Sequence, residues 1–113
     1  MQRDPRVYLW DARNAADLIA RFTSGKTRMD YENDEFLRSA VERQFEILGE
    51  ALNQLSRTSP DLAQQIPDLR AIVGFRNVLA HGYSIVNNAT VWGILQDNLP
   101  PLRETLTRLL GEA

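Results

Sequence analysis

The sequence predicts an all-α protein, an antiparallel bundle of four main helices with one short extra helix. Three observations lead there: long stretches repeat apolar residues at helical spacing, none alternates with the period of a strand, and proline and glycine punctuate the stretches rather than cluster. At 113 residues the chain fits one domain over residues 1–113, and its 43% hydrophobic and 25% charged residues are ordinary for a folded soluble protein.

Asp4 and Pro5 form an N-cap and first-turn pair, after which Val7, Leu9, Trp10, Ala12, Ala16, Leu18, Ile19 and Phe22 recur at mostly helical spacing until Gly25. The polar stretch 26–33 reads as a loop. Asp34 can cap a second helix over about residues 35–57, with Phe36, Leu37, Ala40, Val41, Phe45, Leu48, Ala51, Leu52 and Leu55 as its apolar stripe. Gly49 interrupts that helix at a cost of roughly 1 kcal/mol relative to alanine, which predicts a packing role with a neighbouring backbone close by. A short helix over residues 59–66 opens at Pro60, and Pro67 with Asp68 starts another that carries Leu69, Ile72, Val73, Phe75, Val78 and Leu79 and ends at Gly82. Asn87 or Asn88 caps a final helical region from Val91 to Leu110, interrupted or kinked near Pro100 and Pro101.

Composition narrows the chemistry. The chain has no cysteine and one histidine, His81, which excludes disulfides, thiolate metal sites and a histidine-rich metal site within one subunit. A carboxylate-only site stays open but has no ligand loop behind it, so chemistry without a metal or cofactor is expected. The N-terminus shows no apolar signal region and no stretch approaches the roughly 18 apolar residues that span a bilayer, so a cytoplasmic protein that makes no membrane contact is expected. A net charge of -2 argues against broad nonspecific binding to nucleic acid while leaving a local site open. Of the 13 basic residues only Lys26 is lysine; arginine suits phosphate contacts, although codon usage is the better explanation of the bias.

One segment, Arg76-Asn77-Val78-Leu79-Ala80-His81-Gly82-Tyr83, concentrates a guanidinium, an imidazole and a phenol. Positions 76 and 81 lie about 140° apart on an ideal helix, so a straight helix puts them on different faces. If Gly82 takes the left-handed conformation after the last turn, His81 is free to swing toward the groove that Arg76 reaches. An imidazole moves protons near neutrality, the helix C-terminus tending to raise its pKa and a nearby guanidinium to lower it. An arginine beside it can bind a phosphate and stabilise the charge that develops when a ribose 2′-OH attacks phosphorus. From the residues alone a second reading stands open: His81 a helix-end residue, Arg76 a surface ion-pair partner and Tyr83 a core anchor. Glu42, Glu46 and Glu50 recur every four residues among Arg38 and Arg43, which reads as a solvated, ion-paired face rather than an acid site. Trp10 and Trp92 lie within apolar stripes, where packing in the core or a dimer interface outweighs stacking on bases.

The arrangement Arg-x4-His-x-Tyr resembles the signature of the HepT-like branch of the HEPN superfamily. Further segments are similar in order: Tyr8-Leu9-Trp10-Asp11, Ala40-Val41-Glu42-Arg43, Glu46-Ile47-Leu48-Gly49-Glu50-Ala51, Arg76-Asn77 and Leu99-Pro100, so the likeness covers nearly the whole chain. Departures are Asp68 after Ile66-Pro67, where the family often has Trp, and Gly82 between His81 and Tyr83, where an acidic residue is frequent. The resemblance implies a HEPN-like helical bundle that forms a homodimer, with two Arg/His motifs meeting in a cleft between subunits. It implies a metal-independent ribonuclease acting on RNA, in which Arg76, Asn77 and His81 are catalytic. It also implies a toxin whose cognate antitoxin is a minimal nucleotidyltransferase that attaches AMP to Tyr83. The rival reading is a noncatalytic helical dimer that holds a nucleotidyltransferase or a nucleotide in the same cleft.

Overall fold

The computed structural model describes residues 4–81 and 87–111, with the side chain of His81 outside that description. Seven helices occur among the described residues, and no strand: α1 (Pro5–Thr23), α2 (Arg28–Asn33), α3 (Glu35–Thr58), α4 (Pro60–Ala63), α5 (Leu69–His81), α6 (Asn88–Asp97) and α7 (Leu99–Leu109). The short dimension of the molecule is 20 Å, which is about two helix diameters.

Helix α1 starts where the sequence predicts. The Asp4 carboxylate accepts the Arg6 amide at 2.9 Å and Pro5 occupies the first turn, where a missing N–H costs nothing. It stops before Gly25, whose φ of +73° only glycine adopts readily. The small Ala12, Ala15 and Ala16 on its buried face let α3 lie close, and this pair forms the most extensive helix contact. Trp10, which spacing places in the apolar stripe with a core or dimer-interface role, is 52% exposed and so is not part of the core.

Helix α3 is the spine, packing on α1 on one side and α5 on another. Asp34 caps it through the Leu37 amide at 3.0 Å, and Leu37, Val41, Phe45, Leu48, Leu52 and Leu55 form its buried stripe. Each fully buried leucine contributes about 1.5–3 kcal/mol of transfer free energy, so this stripe dominates the core. Phe36 departs from expectation at 85% exposed, because it stands about 100° around the helix from Leu37 and misses the stripe.

The stretch expected as a loop contains α2. Thr27 and Asp30 form a reciprocal capping box, the Asp30 amide donating to Thr27 Oγ1 at 3.1 Å and the Thr27 amide to Asp30 Oδ2 at 2.9 Å. The bond from the Thr27 amide, and then that with its hydroxyl, hold the Asp30 carboxyl below its usual range. Tyr31 anchors the turn: it is wholly buried, its ring 5.8 Å from that of Trp92 on α6. Burial, followed by the Glu42 charge, raises its pKa, and its hydroxyl has no hydrogen-bond partner among the described residues.

After α3, α4 is shorter than expected, and α5 begins one residue beyond Asp68. Asp68 itself takes a left-handed φ of +59° and accepts the Asn98 side-chain amide at 2.7 Å. Asn87, one of the two expected caps, accepts the Ala89 and Thr90 amides at 2.8 and 3.2 Å to start α6. The final helical region is two helices broken at Asn98, because Pro100 and Pro101 lack amide hydrogens and fit a first turn better than a helix interior. Helix α7 closes onto α1 through Leu102 and Leu106, an Arg103–Asp17 pair at 2.9 Å, and a bond from Arg6 Nη2 to the Leu110 carbonyl at 3.0 Å.

Candidate active site

Helix α5 is fixed on α3 by Ile72, which is buried, and by Phe75, whose ring meets Phe45 edge-on with centroids 5.2 Å apart. One turn along, Arg76 crosses α3 at Gly49. A Cβ on Gly49 would collide with Arg76 Cβ and lie 2.6 Å from its Cγ, so only glycine lets the arginine stem lie against α3. The close approach predicted from Gly49 is present, and what fills the space is the stem of a site residue.

The guanidinium is held from two directions. Its Nη2 donates to Glu50 Oε2 at 2.5 Å and its Nη1 to Asn77 Oδ1 at 2.9 Å. Glu50 Oε1 in turn accepts Gln54 Nε2 at 3.0 Å. Among the described residues these bonds engage two of the five guanidinium N–H donors. Arg76 lines an open cleft of about 520 Å³ between α1, α3 and α5, walled by Tyr8, Asp11, Arg43, Glu46, Glu50 and Gln54 among others. Among the described residues two guanidiniums and three carboxylates line it, a near balance of charge.

Of the residues singled out from sequence, Arg76 and Asn77 are adjacent and hydrogen-bonded. His81 is the last residue of α5, so the helix persists through it and keeps its position about 140° around from Arg76. The His81 side chain, Gly82 and Tyr83 lie outside the described residues. The row Glu42, Glu46 and Glu50 divides. Glu46 pairs with Arg43 at 3.3 Å, as a solvated face would. Burial raises the Glu42 pKa, Arg38 pulling it down and Glu46 pushing it up. Glu50 is also ion-paired and 44% exposed, as that face would be, but its partner is Arg76 on α5; at four-residue spacing it is indistinguishable from its neighbours, and only the docking of α5 singles it out. Trp92 packs against Tyr31, while Trp10 remains open to solvent. Among the described residues no group of three or more acidic or histidine side chains is arranged to hold a metal ion, and no helix is long and apolar enough to cross a membrane.

The chain is similar to several known proteins. A candidate RNase of Methanocaldococcus jannaschii is 28% identical over 105 residues, covering 91% of this chain and 94% of that protein. A candidate ribonuclease HepT of Thermococcus cleftensis is 30% identical over 109 residues, covering 96% of this chain and 98% of that protein. Another M. jannaschii protein, named for a gamma-glutamylcyclotransferase and a candidate RNase, is 29% identical over 112 residues; the match takes in 99% of this chain and spans half the length of that relative. No solved structure matches the chain. The family model described as Ribonuclease HepT-like matches residues 12–109, from the first buried turns of α1 to the end of α7, and the chain therefore belongs to the HepT-like ribonuclease family.

Proposed function

We propose that the protein is a metal-independent endoribonuclease, the toxin of a toxin–antitoxin pair, with Arg76, Asn77 and His81 as its catalytic residues. The observation that carries this reading is the Arg76 guanidinium, clamped by Glu50 and Asn77 at the edge of a cleft, five residues before the only histidine. In the proposed reaction one imidazole removes the proton of a ribose 2′-OH, and O2′ attacks the adjacent phosphorus as the bond to O5′ breaks. A second imidazole, protonated, supplies the hydrogen that O5′ takes up. Arg76 stabilises the added charge on the phosphoryl oxygens, and Asn77, whose Oδ1 accepts Arg76 Nη1, orients the phosphate with its side-chain amide N–H. Incubation of purified chain with RNA in excess chelator tests this: cleavage persists for wild type and is lost in Arg76→Ala. Cleavage that needs an added divalent ion contradicts the reading.

One histidine per chain serves as either acid or base at any moment, so the competent unit is a homodimer that brings two His81 side chains to one cleft. The divergence of positions 76 and 81 along α5 and the near balance of charge in one cleft both favour a site completed by a second copy. Trp10 on α1 and Phe36 on α3 offer exposed apolar surface for the contact. Specific activity is expected to fall as the protein is diluted through its dimer dissociation range, followed in parallel by sedimentation. A stable monomer that cleaves as fast as the undiluted protein contradicts it.

The partner proposed as antitoxin is a minimal nucleotidyltransferase acting on Tyr83. A phosphodiester on that phenol adds negative charge and bulk two residues from His81, competing with the RNA phosphate for Arg76. Intact-mass measurement after incubation with the nucleotidyltransferase and ATP is expected to show added AMP on wild type and none on Tyr83→Phe. Equal modification of both proteins refutes the assignment of Tyr83.

A further inference from the structure

We propose that Glu50, braced by Gln54, is a positioning residue that sets the direction of the Arg76 guanidinium, an inference that rests on the ribonuclease reading above. Both carboxylate oxygens of Glu50 are used. Oε1 accepts Gln54 Nε2 at 3.0 Å, one turn further along the same helix, and Oε2 accepts Arg76 Nη2 at 2.5 Å. The carboxylate is therefore oriented from within α3, the most heavily packed helix, before it meets the arginine. Gly49 places the arginine stem flat against that helix, and Asn77 takes the other terminal nitrogen. A side chain with four rotatable bonds thus has its root, its stem and two of its nitrogens specified, leaving the remaining donors aimed by the frame rather than by the ligand.

Two arguments separate positioning from the simpler roles. Folding is the first: the side chains of Arg76 and Glu50 are 28% and 44% exposed, and half-exposed pairs contribute little to stability. Removing the carboxylate therefore leaves the fold largely intact. Affinity is the second. A carboxylate beside a phosphate-binding arginine repels the phosphate, so a residue selected only for RNA binding would not be acidic. What remains is geometry, which acts on the reacting complex and not on ground-state binding.

The pattern expected across variants follows from that. Glu50→Ala lowers kcat roughly 10- to 100-fold, the scale of a small misplacement of a catalytic group, while KM for a short RNA stays level or falls because a negative charge has gone. Glu50→Gln keeps an acceptor for Nη2 and recovers most of the rate. Gln54→Ala, which removes only the brace, gives a smaller loss in kcat. A readout independent of RNA is the rotation of the Arg76 guanidinium, followed by nitrogen-15 NMR on the full chain and assigned with Arg76→Lys. Distinct, slowly exchanging Nη signals are expected in wild type and Glu50→Gln, and averaged signals in Glu50→Ala. Unchanged kcat in Glu50→Ala, a rise in KM alone, unaltered guanidinium rotation, or a collapse of Tm in Glu50→Ala with equal loss in Glu50→Gln would each overturn the proposal. If wild-type protein cleaves no RNA, the ribonuclease reading fails, and the NMR comparison still decides whether Glu50 orients Arg76.

Discussion

His81→Ala is expected to lower RNA cleavage by about 10²- to 10⁴-fold, the range associated with losing a general acid or base, while thermal unfolding stays close to wild type. No other histidine exists in the chain to take over proton transfer. Arg76→Lys is expected to lose about 10²-fold although charge is conserved. A lysine has three donors on a point charge, and cannot contact Glu50 and Asn77 while presenting a planar fork to the phosphate. Rate measurements on both variants, with circular dichroism to follow the fold, check these expectations. If His81→Ala unfolds the chain, the histidine is a helix-end structural residue, as the residues alone also allowed.

Gly49→Ala is expected to be the most damaging glycine-to-alanine change among the described helical glycines. The added carbon meets the Cβ of Arg76, which sits at the root of the side chain and moves only if α5 moves. Overpacking of this kind costs about 1–3 kcal/mol, and the shift also carries the guanidinium away from Glu50. A fall in Tm of several degrees with near-complete loss of cleavage is therefore predicted. Gly74→Ala is the control in the same helix as Arg76. A Cβ there meets nothing within 4 Å among the described residues, and alanine is favoured over glycine in a helix by up to about 1 kcal/mol. Thermal melts of the two variants should move in opposite directions; equal destabilisation would mean that glycine at both positions matters for backbone reasons unrelated to Arg76.

The long helices were legible because burying one face of a helix writes a 3.6-residue period into the chain. The stripe from Leu37 to Leu55 and the cap at Asp34 are found as expected. Helix α2 was hidden for the converse reason: six residues bury one side chain, Tyr31, and one apolar residue has no period. Its real signal was the Thr27-x-x-Asp30 capping box, which polar composition masked. Phe36 and Trp10 fall in apolar stripes by spacing, whereas burial follows angle, and both stand to one side of the face that meets a neighbour within the chain. At the site, Arg76, Asn77 and Gly49 could be picked out locally. Glu50 could not, because its role is created by the docking of α5 onto α3, a contact between residues 26 positions apart.

The proposed reaction uses a ribose 2′-OH as nucleophile, with Arg76 and His81 supplying charge and proton. Analysis of the RNA ends made in excess chelator tests it most directly. A 2′,3′-cyclic phosphate on one fragment and a free 5′-OH on the other are expected, with no cleavage at any site where a single 2′-deoxynucleotide removes the attacking hydroxyl. A 5′-phosphate end, or cleavage that continues past the 2′-deoxy position, would contradict it.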